Sequence, residues 1–132
     1  MSLEQNKKTV LAFLGSLARG QPDEALLCDA AAWWIPGSGV IDREAFLALS
    51  ARVHQRFSGP GRLEPTAVTA EEDRVAVEAN GRFELKDGRV YENTYHFLFR
   101  LRDGLICESR EHNNTAIPAA LFSAASERRA DK

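Results

Sequence analysis

Apolar residues follow a helical spacing in the first part of the chain and a strand-like alternation in the last. Leu3, Val10, Phe13, Leu14 and Leu17 recur at three- and four-residue intervals or their sums, behind a Ser2-x-x-Gln5 capping box. This predicts a helix over 3–19, stopped by Gly20. Pro22 suits the first position of a short second helix over 22–27. Residues 29–35 (DAAAWWI) read as a short strand ending at Pro36-Gly37. Asp42 is the candidate N-cap of a third helix with a stripe of Phe46, Leu49, Val53 and Phe57, closed by Gly59-Pro60-Gly61. Beyond Arg62 the chain turns to alternation, loosely over 63–70 and clearly over 74–85, where Val75, Val77 and Ala79 share a side. Asp87-Gly88 and Asp103-Gly104 are hairpin turns, because Asp-Gly tolerates the positive φ angles of tight two-residue turns. Residues 117–122 form a short closing helix, and the charged 126–132 stretch is a frayed tail. Helices followed by strands joined in sequence order predict an α+β fold, with one domain over 1–125 and helices covering one sheet face.

A two-residue turn at Asp103-Gly104 fixes what the last hairpin should place together. Phe99 lies opposite Glu108, Phe97 opposite Arg110, Tyr95 opposite His112 and Asn93 opposite Asn114. A face that mixes aromatic rings with an acid, a base, an imidazole and amides reads as the wall of a polar-tipped pocket. The preceding hairpin, taken as regular, would put Glu78 opposite Phe97. A bulge at Gly81 is expected to restore Val75 and Val77 to the side of Phe97 and Phe99. Trp33 and Trp34 point to opposite faces of their strand, so at most one lines the pocket, and Trp34 is the candidate.

Composition narrows the function classes. With 132 residues, 44% hydrophobic, 27% charged and a net charge of −2, the chain is an ordinary soluble globular protein. No basic stripe carries interleaved aromatics, so nucleic acid is not an expected partner. No segment approaches the roughly 20 apolar residues of a membrane span, and MSLEQNKK lacks a signal-peptide core. The expected compartment is the cytoplasm, with Cys28 and Cys107 as reduced thiols. The three histidines show no paired ligand spacing, so neither metal nor cofactor is expected.

Several segments carry a resemblance. They are Trp34-x-Pro36-Gly37-x-Gly39, then Asp73-Arg74-Val75-Ala76-Val77-Glu78, then Gly88-x-x-Tyr91-x-Asn93-x-Tyr95-x-Phe97, and finally Arg102-Asp103-Gly104-x-Ile106-x-Glu108-x-Arg110-Glu111. In this order and spacing the chain resembles the SnoaL-like branch of the nuclear transport factor 2-like superfamily. The resemblance implies a cone-shaped α+β barrel, with a strongly curved, mostly antiparallel sheet wrapped around a long helix and a pocket at the wide end. The family includes ketosteroid isomerases, polyketide cyclases, epoxide hydrolases and non-catalytic proteins, so the fold alone does not name an activity. Many members are homodimers through the outer sheet face. Here Arg100, His96, Ser109 and Glu111 around Leu98 and Cys107 would form that face. Relatives commonly end the last strand in a pattern like Arg-Glu-Tyr-x-Asp-Thr, where this chain has Arg110-Glu111-His112-Asn113-Asn114-Thr115. Asn114 stands at the aspartate position and His112 at the tyrosine position. An amide has no proton to exchange near neutral pH.

These readings assemble into an expected site for a cofactor-independent isomerase- or cyclase-like enzyme acting on a small apolar carbonyl compound. His112 is the general acid/base, and Tyr95 and Asn114 hydrogen-bond a developing oxyanion. Trp34, Phe97, Phe99, Glu108, Arg110 and His54 line the substrate site. Glu108 and Arg110 are equally well read as an ion pair across the wall, and His54 as a structural histidine at the helix edge. The alternative function is a ligand-binding or association module without turnover.

Overall fold

The computed structural model describes residues 2–122 of the chain. Helix α1 (Leu3–Ala18) starts at the expected capping box, with Ser2 Oγ accepting from the Gln5 backbone N–H at 3.1 Å. It buries Val10, Phe13 and Leu14. Strands β1 (Leu27–Ile35) and β2 (Gly39–Asp42) are followed by α2 (Arg43–His54), whose N-cap Asp42 accepts from Ala45 N–H at 2.8 Å. Strands β3 (Arg62–Glu71), β4 (Arg74–Glu84), β5 (Val90–Arg102) and β6 (Leu105–Asn113) precede a short α3 (Ala116–Leu121). The six strands form one mixed sheet in the order β2-β1-β6-β5-β4-β3, in which only β1 and β6 run parallel. This is the expected α+β fold, with helices packed on a mostly antiparallel sheet. It is open rather than closed into a barrel, since β2 and β3 remain edges. No helix of the described residues is long and apolar enough to cross a membrane.

The core lies between the helices and the inner sheet face. Trp33 stacks on Phe46 with ring centroids 3.8 Å apart and meets Phe99 edge-on at 5.7 Å. Val75 pairs with Phe99 and Val77 with Phe97, and all four are fully buried.

Several local expectations are corrected. The second helix shrinks to a 3-10 turn, Glu24–Leu26, because Asp23 caps Ala25 and Leu27 is already extended in β1. The third helix ends at His54, and Phe57 instead bridges to Leu85. Strand β2 went unforeseen. The Pro36-Gly37-Ser38-Gly39 stretch looks like a loop, but positive φ at Gly37 (85°) and Gly39 (70°) folds it into a tight reversal. Val75 and Val77 do join Phe97 and Phe99, yet no bulge at Gly81 is responsible, since Gly81 pairs regularly with Asn93. The turn holds three residues, 86–88, with Leu85 bonded to Arg89 and Gly88 at φ 92°, which sets the register by turn length. The missing side chain at Gly81 makes room for Tyr95, whose Cε2 would lie 2.6 Å from a Cβ there. The expected frayed tail, 126–132, falls outside the described residues.

Candidate functional site

The site is set by one extra residue. Asp103 (φ 52°) and Gly104 (φ 81°) make the predicted turn, and Arg102 pairs with Leu105 and Leu101 with Ile106 as expected. The next pair is Arg100 with Glu108, so Cys107 is bulged out of the ladder. A one-residue offset turns every later side chain of β6 to the other face. Ser109 therefore sits opposite Phe99, Glu111 opposite Phe97 and Asn113 opposite Tyr95. The physical reason is plain: a regular register would press Glu108 and Arg110 into a face made of buried Phe97 and Phe99.

This corrects much of the expected site. His112, Arg110 and Glu108 lie on the outer face and are exposed. Trp34 joins them, with His112 4.8 Å from its ring and the Arg110 guanidinium 5.1 Å above it. Trp33, not Trp34, faces inward, and the expected Glu108–Arg110 pair gives way to Glu108 with Arg100 at 3.4 Å. The foreseen outer set changes too, because Ser109 and Glu111 point inward. Phe99 is inward but sealed in the core, away from the cavity. Asn114 is exposed and structural: it closes a turn onto Ala116 N–H at 3.2 Å, and its backbone bonds Asn93. Tyr95, Phe97 and His54 are where the sequence placed them, on the wall of a cavity of about 380 Å³.

Much of that cavity comes from α2 and the loop after it (Phe46, Ser50, Phe57) and from the sheet (Phe83, Tyr91, Glu111, Asn113), with Leu17 of α1 and Pro118 of α3 adding to the wall. Glu111 opens onto the cavity, while protein surrounds it on nearly every other side. Desolvation raises its carboxyl from the usual 4.5 to about 7, against a 3.3 Å hydrogen bond from Asn113 Nδ2. The Trp33 indole N–H has no acceptor within hydrogen-bonding geometry, but it lies near enough to favour the carboxylate as well. Among the described residues no cation pairs with Glu111.

A tyrosine pair faces this acid. Tyr95 stacks on Phe97 at 5.5 Å and donates its hydroxyl to Tyr91 Oη at 3.1 Å. Burial, then Tyr91, then the charge of Glu111 push the Tyr95 phenol well above its ordinary range, so it stays a neutral donor. Asn93 Nδ2 also donates to Tyr91 Oη, at 2.9 Å. With two donors arriving, the Tyr91 proton is left to point elsewhere. Asn93 is buried, and its Oδ1 accepts from Thr94 and Asn114 N–H groups, so it ties the tyrosines to the end of β6. Asn93→Ala is expected to cost about 2–3 kcal/mol, read as a lower urea midpoint, because it strands buried donors and acceptors.

His54 faces the cavity from α2. Burial lowers its pKa, partly offset by a hydrogen bond to the Leu17 backbone, and its ring meets Phe57 edge-on at 5.0 Å. Gly20 leaves the imidazole its space: a Cβ there would lie 2.9 Å from Nδ1. Ser50 Oγ and Asn113 Oδ1 line the cavity with no hydrogen-bond partner among the described residues. Among the described residues no cluster of His, Cys, Asp or Glu could hold a metal ion. Sequence reasoning missed Glu111, Asn113, Ser50 and Tyr91. One signal was available: Glu108, Arg110 and His112 alternate, and such a polar set fits solvent better than a partner for Phe97 and Phe99.

Comparison with known proteins agrees with this architecture. The SnoaL-like domain model matches residues 10–109. No curated protein matches the chain. A protein from Jannaschia sp. CCS1 assigned to the SnoaL-like polyketide cyclases superimposes with a TM-score of 0.78 at 20% identity, covering 93% of this chain and 92% of that one. An NTF2-like protein from Anabaena variabilis ATCC 29413 gives 0.74 at 23% identity, over 85% and 88% of the two chains. IdmH from Streptomyces antibioticus, assigned as a polyketide cyclase, gives 0.76 at 20% identity, over 89% and 98%. At these identities the likeness is one of fold.

Proposed function

The chain belongs to the SnoaL-like domain family, and from that premise we propose that its cavity takes a small, neutral, largely apolar carbonyl compound on which Glu111 moves a proton. The observation that carries this reading is a carboxylate turned into an apolar cavity with no cation beside it among the described residues, where burial pushes its pKa up to about 7. A base poised near the working pH is the most effective proton acceptor. Glu111 would remove a proton from the carbon beside the carbonyl, a step that needs no cofactor. The Tyr91 hydroxyl, held by donation from Tyr95, would give its proton to the developing oxyanion, since a fixed donor in a dry site stabilises such charge well. The wall of phenylalanines supplies binding, and among the described residues that line it no Lys or Arg would hold a substrate carboxylate.

Deuterium exchange tests this without knowing the product. A panel of neutral cyclic and aromatic ketones is incubated with the protein in D2O, and loss of the α-proton signal is followed by NMR. The wild type is expected to exchange at least one neutral ketone, at a rate that rises with pH and levels off above about 7. His112→Gln is expected to exchange at the wild-type rate, because His112 lies on the outer face beside Trp34. A ketone held in the cavity but not exchanged would instead favour a binding module. Asn114, at the position of the relatives' aspartate, gives that second reading its footing. The outer face, with Trp34 half-buried and Val40 70% exposed beside it, is where a second copy of the chain would pack. Light scattering at micromolar concentration would show the dimer.

A further inference from the structure

The two cysteines meet on neighbouring parallel strands. Leu27 of β1 pairs with Ile106 of β6, so the residues that follow, Cys28 and Cys107, are neighbours across the ladder. Leu27 and Ile106 are buried, and the cysteines point the other way, half-exposed on the outer face. Both strands are irregular at this point. β1 runs from Leu27 to Ala32 while β6 advances only from Ile106 to Glu108, and Cys107 is also the bulged residue against β5. The Cys28 thiol lies near enough to act on that of Cys107, whose Sγ donates to the Leu105 carbonyl at 3.7 Å. Adjacent strands stand about 4.8 Å apart, within the roughly 4.4–6.8 Å that a disulfide spans between Cα atoms. Closure therefore asks little of the backbone.

We propose that Cys28 and Cys107 form an oxidisable pair, which a peroxide converts into an intrachain disulfide that staples β1 to β6 near their N-terminal ends. In the first step one thiolate attacks the peroxide oxygen, the O–O bond breaks, and a sulfenic acid and one water result. The second thiol then attacks that sulfur, forming the S–S bond and releasing a second water. In total two thiols and one hydrogen peroxide give a disulfide and two waters, with two electrons passing from sulfur to oxygen. The staple acts where it matters, because the bulge at Cys107 decides which side chains of β6 face the cavity. The groups facing Cys107 are Cys28 and Arg102, with Asp73, Arg100 and Glu108 around the same polar depression. Burial and Cys28 push the Cys107 thiol up to about 11 against the opposing charge of Arg102, so closure quickens as pH rises.

The test uses the full chain, reduced and then treated with a few-fold excess of hydrogen peroxide. Iodoacetamide labelling under denaturing conditions is expected to lose both sites together, and peptide mapping to find residues 28 and 107 joined within one chain. Stapling two strands far apart in sequence is expected to raise the melting temperature by roughly 5–15 °C, reversed by dithiothreitol. Cys28→Ser is expected to show neither the joined peptide nor the shift. Thiols that still label, sulfinic acids without a joined peptide, cross-links only between chains, or an unchanged melting temperature would each overturn the proposal.

Discussion

Glu111→Gln is expected to slow proton exchange by roughly 10²–10⁴-fold while making the protein more stable above neutral pH. The two effects have opposite signs because they share one cause. The folded chain holds the Glu111 proton more tightly than the unfolded chain does, with a pKa of about 7 against 4.5. Between those values the native state binds more protons than the unfolded state, so wild-type stability falls as pH rises. The loss is complete above about pH 8 and amounts to about 2–3 kcal/mol, discounted for the water that reaches the open side of the carboxylate. Glutamine is nearly isosteric, can still accept from Asn113, and carries no charge to desolvate. Denaturant midpoints of the two proteins should coincide at pH 4 and separate in favour of the variant at pH 8. Equal stability at both values would mean that Glu111 is an ordinary, solvated carboxylate.

Deleting Cys107 should remove the bulge and leave every later side chain of β6 on its present face. With that residue gone, regular pairing from Leu101–Ile106 onward gives Arg100–Glu108, Phe99–Ser109 and Phe97–Glu111, the pairs that the bulge already produces. Only a ladder that takes in Cys107 would turn Glu108, Arg110 and His112 inward. Burying Arg110 and Glu108 among Phe97, Phe99 and Trp33 costs several kcal/mol for each uncompensated charge, against a total stability of roughly 5–15 kcal/mol for a domain of this size. The deletion variant is therefore expected to unfold cooperatively by circular dichroism and to keep the wild-type fall in stability between about pH 5 and pH 8, since Glu111 stays in the cavity. Cys107→Ser, which keeps the residue count, is expected to unfold cooperatively within about 1 kcal/mol of wild type. What matters here is that Cys107 stays out of the ladder, more than its sulfur.

That distinction explains what could be read from the chain and what could not. Periodicity and capping located α1, α2 and the long hairpins, because Val10, Phe13, Leu14, Val75 and Val77 follow the spacing their elements impose. The family's motifs led to the right fold class. Register was harder. Both hairpins contain Asp-Gly, yet one turn holds two residues and the other three, a choice made by loop geometry and by which rings pack across Gly81. The bulge at Cys107 has no local signature such as glycine, so the alternation carried past it put His112 where Glu111 belongs. A single such shift inverts an entire strand, and for that reason Tyr95 and Phe97 on β5 lie where expected while Glu108, Arg110 and His112 on β6 do not.

The central claim is that the bulge turns Glu111 into an apolar cavity and holds its proton near neutrality. Carboxyl carbon-13 NMR of protein labelled at glutamate side chains reads this directly, with the Glu111 resonance identified by its loss in Glu111→Gln. The account predicts one glutamate titrating with a midpoint near 7, well above the roughly 4.3 of a solvated side chain. A Glu111 midpoint in that ordinary range would contradict it.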